Sequence, residues 1–286
     1  MTKMKIDSFL YDVGTDHGSV DAAVADIITL TKNAWANGAD LVLLPEYCWC
    51  NLIQYSTPHL TLPQLASLFW GDIWPKLKAE LAVEGKAVIL GSVPFNLSAT
   101  TLRNRSPMLI SGKEIFQDKL CLTPWEAHLD GGDEIQVFEF MSAKCVNLIC
   151  LDSEIPATAE LLKGLGDLDV LFVPSATESL MGVERIARCS SARSVELGCA
   201  VIVSQLVGGL DNDFVGDNLG QNSLYLPSLT ATAEIKRIDE RGVKSEKTQS
   251  DRFEVNLGLL AEARKNKKTT NPALVKASKS IAVKGI

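Results

Sequence analysis

The sequence is poor in the groups on which many enzymes rely. It holds three histidines, His17, His59 and His128. Only His128 stands near another candidate residue, so a Cys–His scheme lacks its base. No apolar run approaches the roughly 18 residues needed to cross a bilayer. Met1 to Asp12 places Lys3 and Lys5 before a short apolar stretch broken by Asp7 and Asp12, which is not the layout of a secretory leader. Positive charge is in deficit: 28 Lys and Arg against 35 Asp and Glu give a net charge of -7. A globally acidic chain is a poor partner for nucleic acid or an anionic membrane. No glycine run has the spacing of a phosphate-binding loop, and Gly208-Gly209 reads as a turn. Cys48-Trp49-Cys50 is too tight for a zinc pair and has no second pair nearby. No metal and no cofactor are therefore expected. The seven cysteines are odd in number and scattered through apolar segments. That pattern suits buried thiols in a reducing compartment, and a cytoplasmic address is expected.

What is present is a large apolar fraction, 46% of 286 residues, arranged as alternating strands and helices. Met4 to Val13 reads as a strand, and Ser19 to Asn37 as a helix closed by Gly38. Leu41 to Leu44 is a short apolar run, as in a strand buried on both faces. Leu62 to Leu81 reads as a helix broken near Pro75. Further strands are expected at Ala87 to Ser92, at Met108 to Lys119 around the Ser111-Gly112 turn, and at Lys144 to Leu151. Ala157 to Lys163 begins a helix after Pro156, Leu168 to Val173 is a strand, and Val183 to Leu197 is a long helix. Later strands are expected at Ala200 to Gln205, Ser223 to Leu226, Ala231 to Ile238 and Phe253 to Leu257. With no internal repeat and no low-complexity linker, one α/β domain over residues 1–260 is the economical reading. A basic tail, residues 261–286, follows it.

Three residues stand where chemistry gathers in α/β folds, just beyond strand ends. Cys150 closes the apolar strand that starts at Cys145 and precedes a helix start, where free N–H groups favour a thiolate and could hold an oxyanion. Glu46 follows the Leu41–Leu44 strand and Pro45, and burial there would raise its pKa toward that of a useful base. Lys119 ends a strand and leads into Leu120-Cys-Leu-Thr-Pro-Trp-Glu126. Taken singly, each has a plain alternative: a buried thiol, a loop carboxylate, a strand-end cation, and for Glu126 a surface turn.

Taken in order, these segments resemble the nitrilase superfamily of carbon–nitrogen hydrolases. Leu43-Leu-Pro-Glu46 resembles its glutamate motif and Lys119 to Glu126 its lysine motif. Leu148-Ile-Cys150-Leu-Asp-Ser-Glu-Ile-Pro156 resembles its cysteine motif. The likeness covers roughly residues 4 to 260. Thr123-Pro-Trp-Glu126 and Gly182 to Arg193 resemble a poorly characterised branch of amidohydrolases within it. There are departures. Leu151 replaces the usual aromatic, Ile155-Pro156-Ala157 replaces Phe-Pro-Glu, Glu196-Leu197 replaces Glu-Asn, and Asn222 stands where a serine is usual.

The resemblance implies a four-layer α-β-β-α sandwich. It also implies hydrolysis of a small-molecule amide through a cysteine thioester, with Cys150 as nucleophile and Glu46 as base. Lys119 and the backbone N–H of Leu151 would hold the oxyanion, and Glu126 the leaving group or water. Tyr47, Trp49, Trp125 and His128 flank the motifs and are expected to shape the substrate pocket. Nitrile hydrolysis, acyl transfer to an amine, or a non-catalytic interaction module on the same fold are the alternatives. Family members pair, so a homodimer or larger assembly through the Val183 to Leu197 helix is expected. The tail, with Leu274, Val275 and Ile281, is expected to cross to a neighbouring subunit.

Overall fold

The apolar runs form strands because both of their faces are covered. In the computed structural model, which describes residues 2–212, 214–265 and 272, every residue of Leu41–Leu44 is buried. Alternate side chains of a strand point to opposite faces. Leu41 and Leu43 accordingly join one apolar cluster, and Val42 and Leu44 another. The same split divides Val170 and Phe172 from Leu171 and Val173, and Ala200 and Ile202 from Val201 and Val203. Three apolar clusters therefore fill three interfaces, which makes four layers: helices, sheet, sheet, helices.

In chain order the elements are β1 (Lys3–Asp12), α1 (Val20–Ala36), β2 (Leu41–Leu44), α2 (Leu62–Leu68), α3 (Trp74–Leu81), β3 (Ala87–Leu90), β4 (Val93–Asn96), β5 (Leu102–Ile110) and β6 (Lys113–Asp118). There follow β7 (Val137–Phe140), β8 (Ala143–Asn147), α4 (Pro156–Lys163), β9 (Val170–Ser175), α5 (Leu180–Leu197), β10 (Ala200–Val207), β11 (Ser223–Tyr225), β12 (Ile238–Glu240), β13 (Gln249–Asn256) and α6 (Leu257–Lys265). The first sheet runs β4-β5-β3-β2-β1, with β6 beside β5 and β13 beside β1. The second runs β10-β9-β8-β7, continued from β10 by β11 and β12. Among the described residues the two join where β1 meets β10, at Tyr11↔Leu206 and Asp12↔Val207. Deep between them, Asn222 spans the layers: its amide donates to the Ser8 carbonyl at 2.8 Å and to Asp251 at 2.9 Å. The departure at 222 is thus a polar tie within the sandwich.

The strands β1, β2 and β3 are parallel, as are β8, β9 and β10. The carboxyl ends of β2, β8 and β9 lead into Glu46, Cys150 and Ala176, which places the site.

Several boundaries differ from the sequence reading. Ser19 is the cap of α1, its Oγ accepting from the Ala22 N–H at 3.1 Å. Pro75 sits in the first turn of α3, where its missing N–H is harmless. The break expected there falls earlier, in a π turn at Phe69–Ile73. The strand expected at Ala231 to Ile238 does not form. Thr232 Oγ1 accepts from the Leu229 N–H at 3.1 Å and folds Thr230–Thr232 into a 3-10 turn, a local bond that competes with pairing. The helix α6 runs across residue 260, the expected domain limit. Leu257 and Leu260 join the cluster between the sheets, and Arg264 bonds the Leu168 carbonyl at 3.0 Å. The expectation for Leu274, Val275 and Ile281 lies outside the described residues. Among those described, no helix is long and apolar enough to cross a membrane.

Candidate active site

Glu46 leaves β2 after Pro45, on a chain that turns sharply at Tyr47 (φ 58). The room behind it comes from Gly91, whose φ of 61 and missing side chain let β3 pass beneath. A Cβ there would lie 2.0 Å from the Pro45 carbonyl oxygen. Lys119 follows β6 and is fully buried, as are Glu46 and Glu126. Its ammonium donates to Glu46 Oε1 at 2.8 Å and to Glu126 Oε2 at 2.7 Å. An ammonium has three N–H groups, so one remains for a further acceptor.

Thr123-Pro124-Trp125-Glu126 is a capped turn. Glu126 Oε2 accepts from the Thr123 N–H at 2.9 Å and from Thr123 Oγ1 at 2.8 Å, the first being the carboxylate half of a capping box. Its Oε1 accepts from the Tyr47 hydroxyl at 2.5 Å and from the Asn104 amide at 3.3 Å. Both oxygens are thus taken by protein donors. Lys119 and Tyr47 are among those donors.

Cys150 stands at the head of a 3-10 turn, Cys150–Ser153, with φ 50. A non-glycine residue in the left-handed region is strained, and such strain persists where surrounding structure imposes it. Asp152 imposes it here, accepting from the backbone N–H groups of Leu120 (3.0 Å), Cys121 (2.7 Å) and Ile149 (3.2 Å). The cysteine turn and the lysine segment are thereby tied together. The Cys150 thiol lies 3.7 Å from the Ala176 carbonyl oxygen, and the Ala176 N–H donates to Glu46 Oε2 at 3.0 Å. The backbone of one residue thus brackets thiol and carboxylate. Leu151 is the second residue of the turn, where a backbone N–H has no partner within the helix.

The charges separate cleanly. Glu46 is raised above the usual carboxylate range, by burial first, with Lys119 opposing. Glu126 is held below that range: burial would raise it, but Lys119, Tyr47 and Thr123 outweigh burial. Lys119 stays charged because Glu46, Cys150 and Glu126 outweigh its burial. The two carboxylates therefore carry opposed shifts, the pattern that marks different acid–base behaviour in neighbouring groups. Burial, then the charge of Glu46, pushes the Cys150 thiol well up. Burial thus opposes the thiolate that a helix start favours.

A cavity of about 180 Å³ opens onto Cys150. Tyr47 and Trp125 line it, as expected, joined by Phe214. Trp49 does not. It is fully buried, its Nε1 donates to the Leu90 carbonyl at 2.8 Å, and it packs on Phe69. His128 is exposed behind Phe214, with ring centres 6.2 Å apart. Asn104, in mid-strand, was missed. It donates to Glu46 Oε1 at 3.0 Å as well as to Glu126, and nothing local in the sequence marks it. Glu154 and Arg185, also on the cavity wall, were read only as parts of motifs. Among the described residues, no group of three or more His, Cys, Asp or Glu side chains is placed to hold a metal ion.

No family model matches the chain. A probable hydrolase of Bacillus subtilis, YhcX, is 26% identical over 198 residues, which are 66% of this chain and 38% of that protein. The chain thus spans well under half the length of that relative. Among solved structures, a carbon–nitrogen hydrolase superfamily protein of Xanthomonas campestris, with an arsenic adduct in its active site, superposes with a TM-score of 0.74. It is 17% identical and covers 99% of this chain and 100% of its own. A nitrilase superfamily member of Saccharomyces cerevisiae superposes at 0.67, with 18% identity over 96% and 97% of the chains. An amidase of Nesterenkonia does so at 0.64, with 15% identity over 92% and 94%. The fold is that of the nitrilase superfamily, the four-layer sandwich that the resemblance implied.

Proposed function

We propose that the chain is a carbon–nitrogen hydrolase that cleaves the amide bond of a small molecule through a thioester on Cys150. The observation that carries this reading is the convergence, from three separate strand ends, of a strained cysteine, a carboxylate of raised pKa and a buried ammonium. Each is held by its own set of backbone or side-chain bonds. Perturbed groups packed together in a cleft are the mark of a site rather than of a scaffold.

The chemistry follows from the geometry. Glu46 takes the proton of the Cys150 thiol as sulfur attacks the amide carbonyl carbon. The developing oxyanion meets the third N–H of Lys119 and the backbone N–H of Leu151. Glu46 passes its proton to the departing nitrogen, the C–N bond breaks, and ammonia or an amine leaves. Water then gives its proton to Glu46 and its oxygen to the thioester carbon, which releases the acid and restores the thiol. No cofactor takes part, and Glu126 and Asn104 hold Lys119 and Glu46 in register throughout. Pairing through the outer face of α5, which carries the exposed Met181, into a homodimer or larger assembly belongs to the same reading, as does a cytoplasmic location.

Ammonia release from a panel of small primary amides tests it, with the Cys150→Ala protein as control. Release by the parent and none by Cys150→Ala is expected. Undiminished release by Cys150→Ala overturns the reading. Product analysis separates amide hydrolysis from acyl transfer, which yields a new amide.

A further inference from the structure

Four residues beyond the nucleophile, Glu154 closes the turn that carries Cys150, its N–H donating to the Leu151 carbonyl at 2.9 Å. Its side chain is only 8% exposed. One oxygen, Oε2, accepts from Arg185 Nε on α5. The other, Oε1, is buried and has no hydrogen-bond partner among the described residues. A buried acceptor without a donor is costly, more so when charged. Glu154 lines the same cavity as Cys150, so a small turn of its side chain would bring the unpartnered oxygen to a guest in that cavity.

The surroundings specify which donor. Glu178 also lines the cavity, with Arg185 as the cation on its wall. With Glu46, Glu126 and Lys119 buried behind the lining, carboxylates outnumber cations around the cavity, which favours a positively charged guest. Trp125 and Phe214 also line the cavity, and aromatic rings attract an ammonium placed over their faces. A cavity of about 180 Å³ admits a chain of a few carbons. A guest presenting a carboxylate at this wall would face Glu154 and Glu178 together.

We propose that Glu154 determines specificity: its free oxygen receives the N–H of an amine or ammonium that the substrate carries away from the amide to be cleaved. The substrate class is then a short amino-alkyl amide. This rests on the hydrolytic reading of the site. Glu154 does not touch the reacting atoms, and its carboxylate selects which amides reach Cys150.

The test measures binding without turnover, by calorimetry on the Cys150→Ala protein at neutral pH. Matched pairs differ only in a terminal ammonium against a methyl: β-alaninamide and butanamide, γ-aminobutyramide and pentanamide, δ-aminovaleramide and hexanamide. In at least one pair the ammonium member is expected to bind about tenfold tighter or more, the range of a charge-assisted hydrogen bond. Adding Glu154→Gln should erase that preference. Adding Arg185→Ala instead should enlarge it, since the competing cation is gone. Equal or weaker binding of every ammonium member overturns the proposal. So does a preference that survives Glu154→Gln, or a parallel response of both members to the two variants, which is what a merely structural Glu154–Arg185 pair would give. Ammonia release by the parent protein is read separately. Release without the preference removes this proposal and leaves the hydrolytic reading. The preference without release from any of these amides leaves an ammonium site at Glu154 and overturns its role in selecting amides for cleavage.

Discussion

The buried network that underlies Cys150, a floor behind the cavity lining, and the cavity wall itself are built in opposite ways. On the floor, Glu46, Lys119 and Glu126 are fully buried, and their charged atoms are engaged by protein partners at 2.5–3.3 Å. On the wall, Glu154 keeps a buried oxygen without a partner, Glu178 is exposed, and the Arg185 side chain is 58% exposed. A satisfied network is rigid and has little left to offer a guest except the groups aimed at the reaction. An unsatisfied wall waits for a guest. Chemistry is thus assembled before the substrate arrives, and recognition is completed by it.

Substitutions can break this contrast, and the floor should suffer most. Glu46→Gln keeps the shape and most hydrogen bonds but removes the base, so kcat should fall by about 10²- to 10⁴-fold with Tm near that of the parent. A modest change in kcat would move the base elsewhere. Lys119→Met leaves two buried carboxylates uncompensated. A loss of about 3–5 kcal/mol in denaturant unfolding is expected, together with loss of activity. Trp49→Ala and Trp125→Ala separate core from wall. The first should cost about 3–5 kcal/mol through the cavity it leaves. The second should shift stability by only about 0.5 kcal/mol and instead raise KM. A large rise in KM for a stable Trp49→Ala would restore that residue to the pocket.

The pH profile is the mildest probe. Glu46 must be ionised to accept the thiol proton, so kcat/KM should fall on acidification. The midpoint should lie above the ordinary glutamate value of 4.5, because the Glu46 pKa is raised. Glu126 is depressed and should not contribute to that limb. As a lowered carboxylate it adds stability that is present above pH 4.5 and lost as the pH falls through its folded value. Stability in acid and activity in acid should therefore decline in separate ranges, activity first as the pH drops.

The same contrast explains what the sequence disclosed. Short apolar runs named β2, β8, β9 and β10, because a strand buried on both faces needs no alternation. Glu46 and Cys150 were legible because each stands beyond such a run, and Lys119 because it ends the polar strand β6 and opens the segment to Glu126. Asn104 was not, since it lies inside β5 and reaches the site only through pairing in the sheet. Glu154 was visible only as a letter in a motif, because its meaning depends on Arg185 from a distant helix. Trp49 and Trp125 both flank motifs, and only packing sends one to the core and the other to the cavity. The raised pKa of Cys150 was also hidden: it comes from burial and from Glu46, neither of which is adjacent in sequence.

The most direct measurement is the intact mass of the protein, followed by peptide mapping, after brief exposure to a slowly turned-over acyl donor such as a short-chain nitrophenyl ester. The expected result is a single acyl group on the peptide containing Cys150, formed far more slowly in Glu46→Gln and absent in Cys150→Ala. Acylation spread evenly over the other six cysteines, or persisting unchanged in Cys150→Ala, would contradict a nucleophile at Cys150.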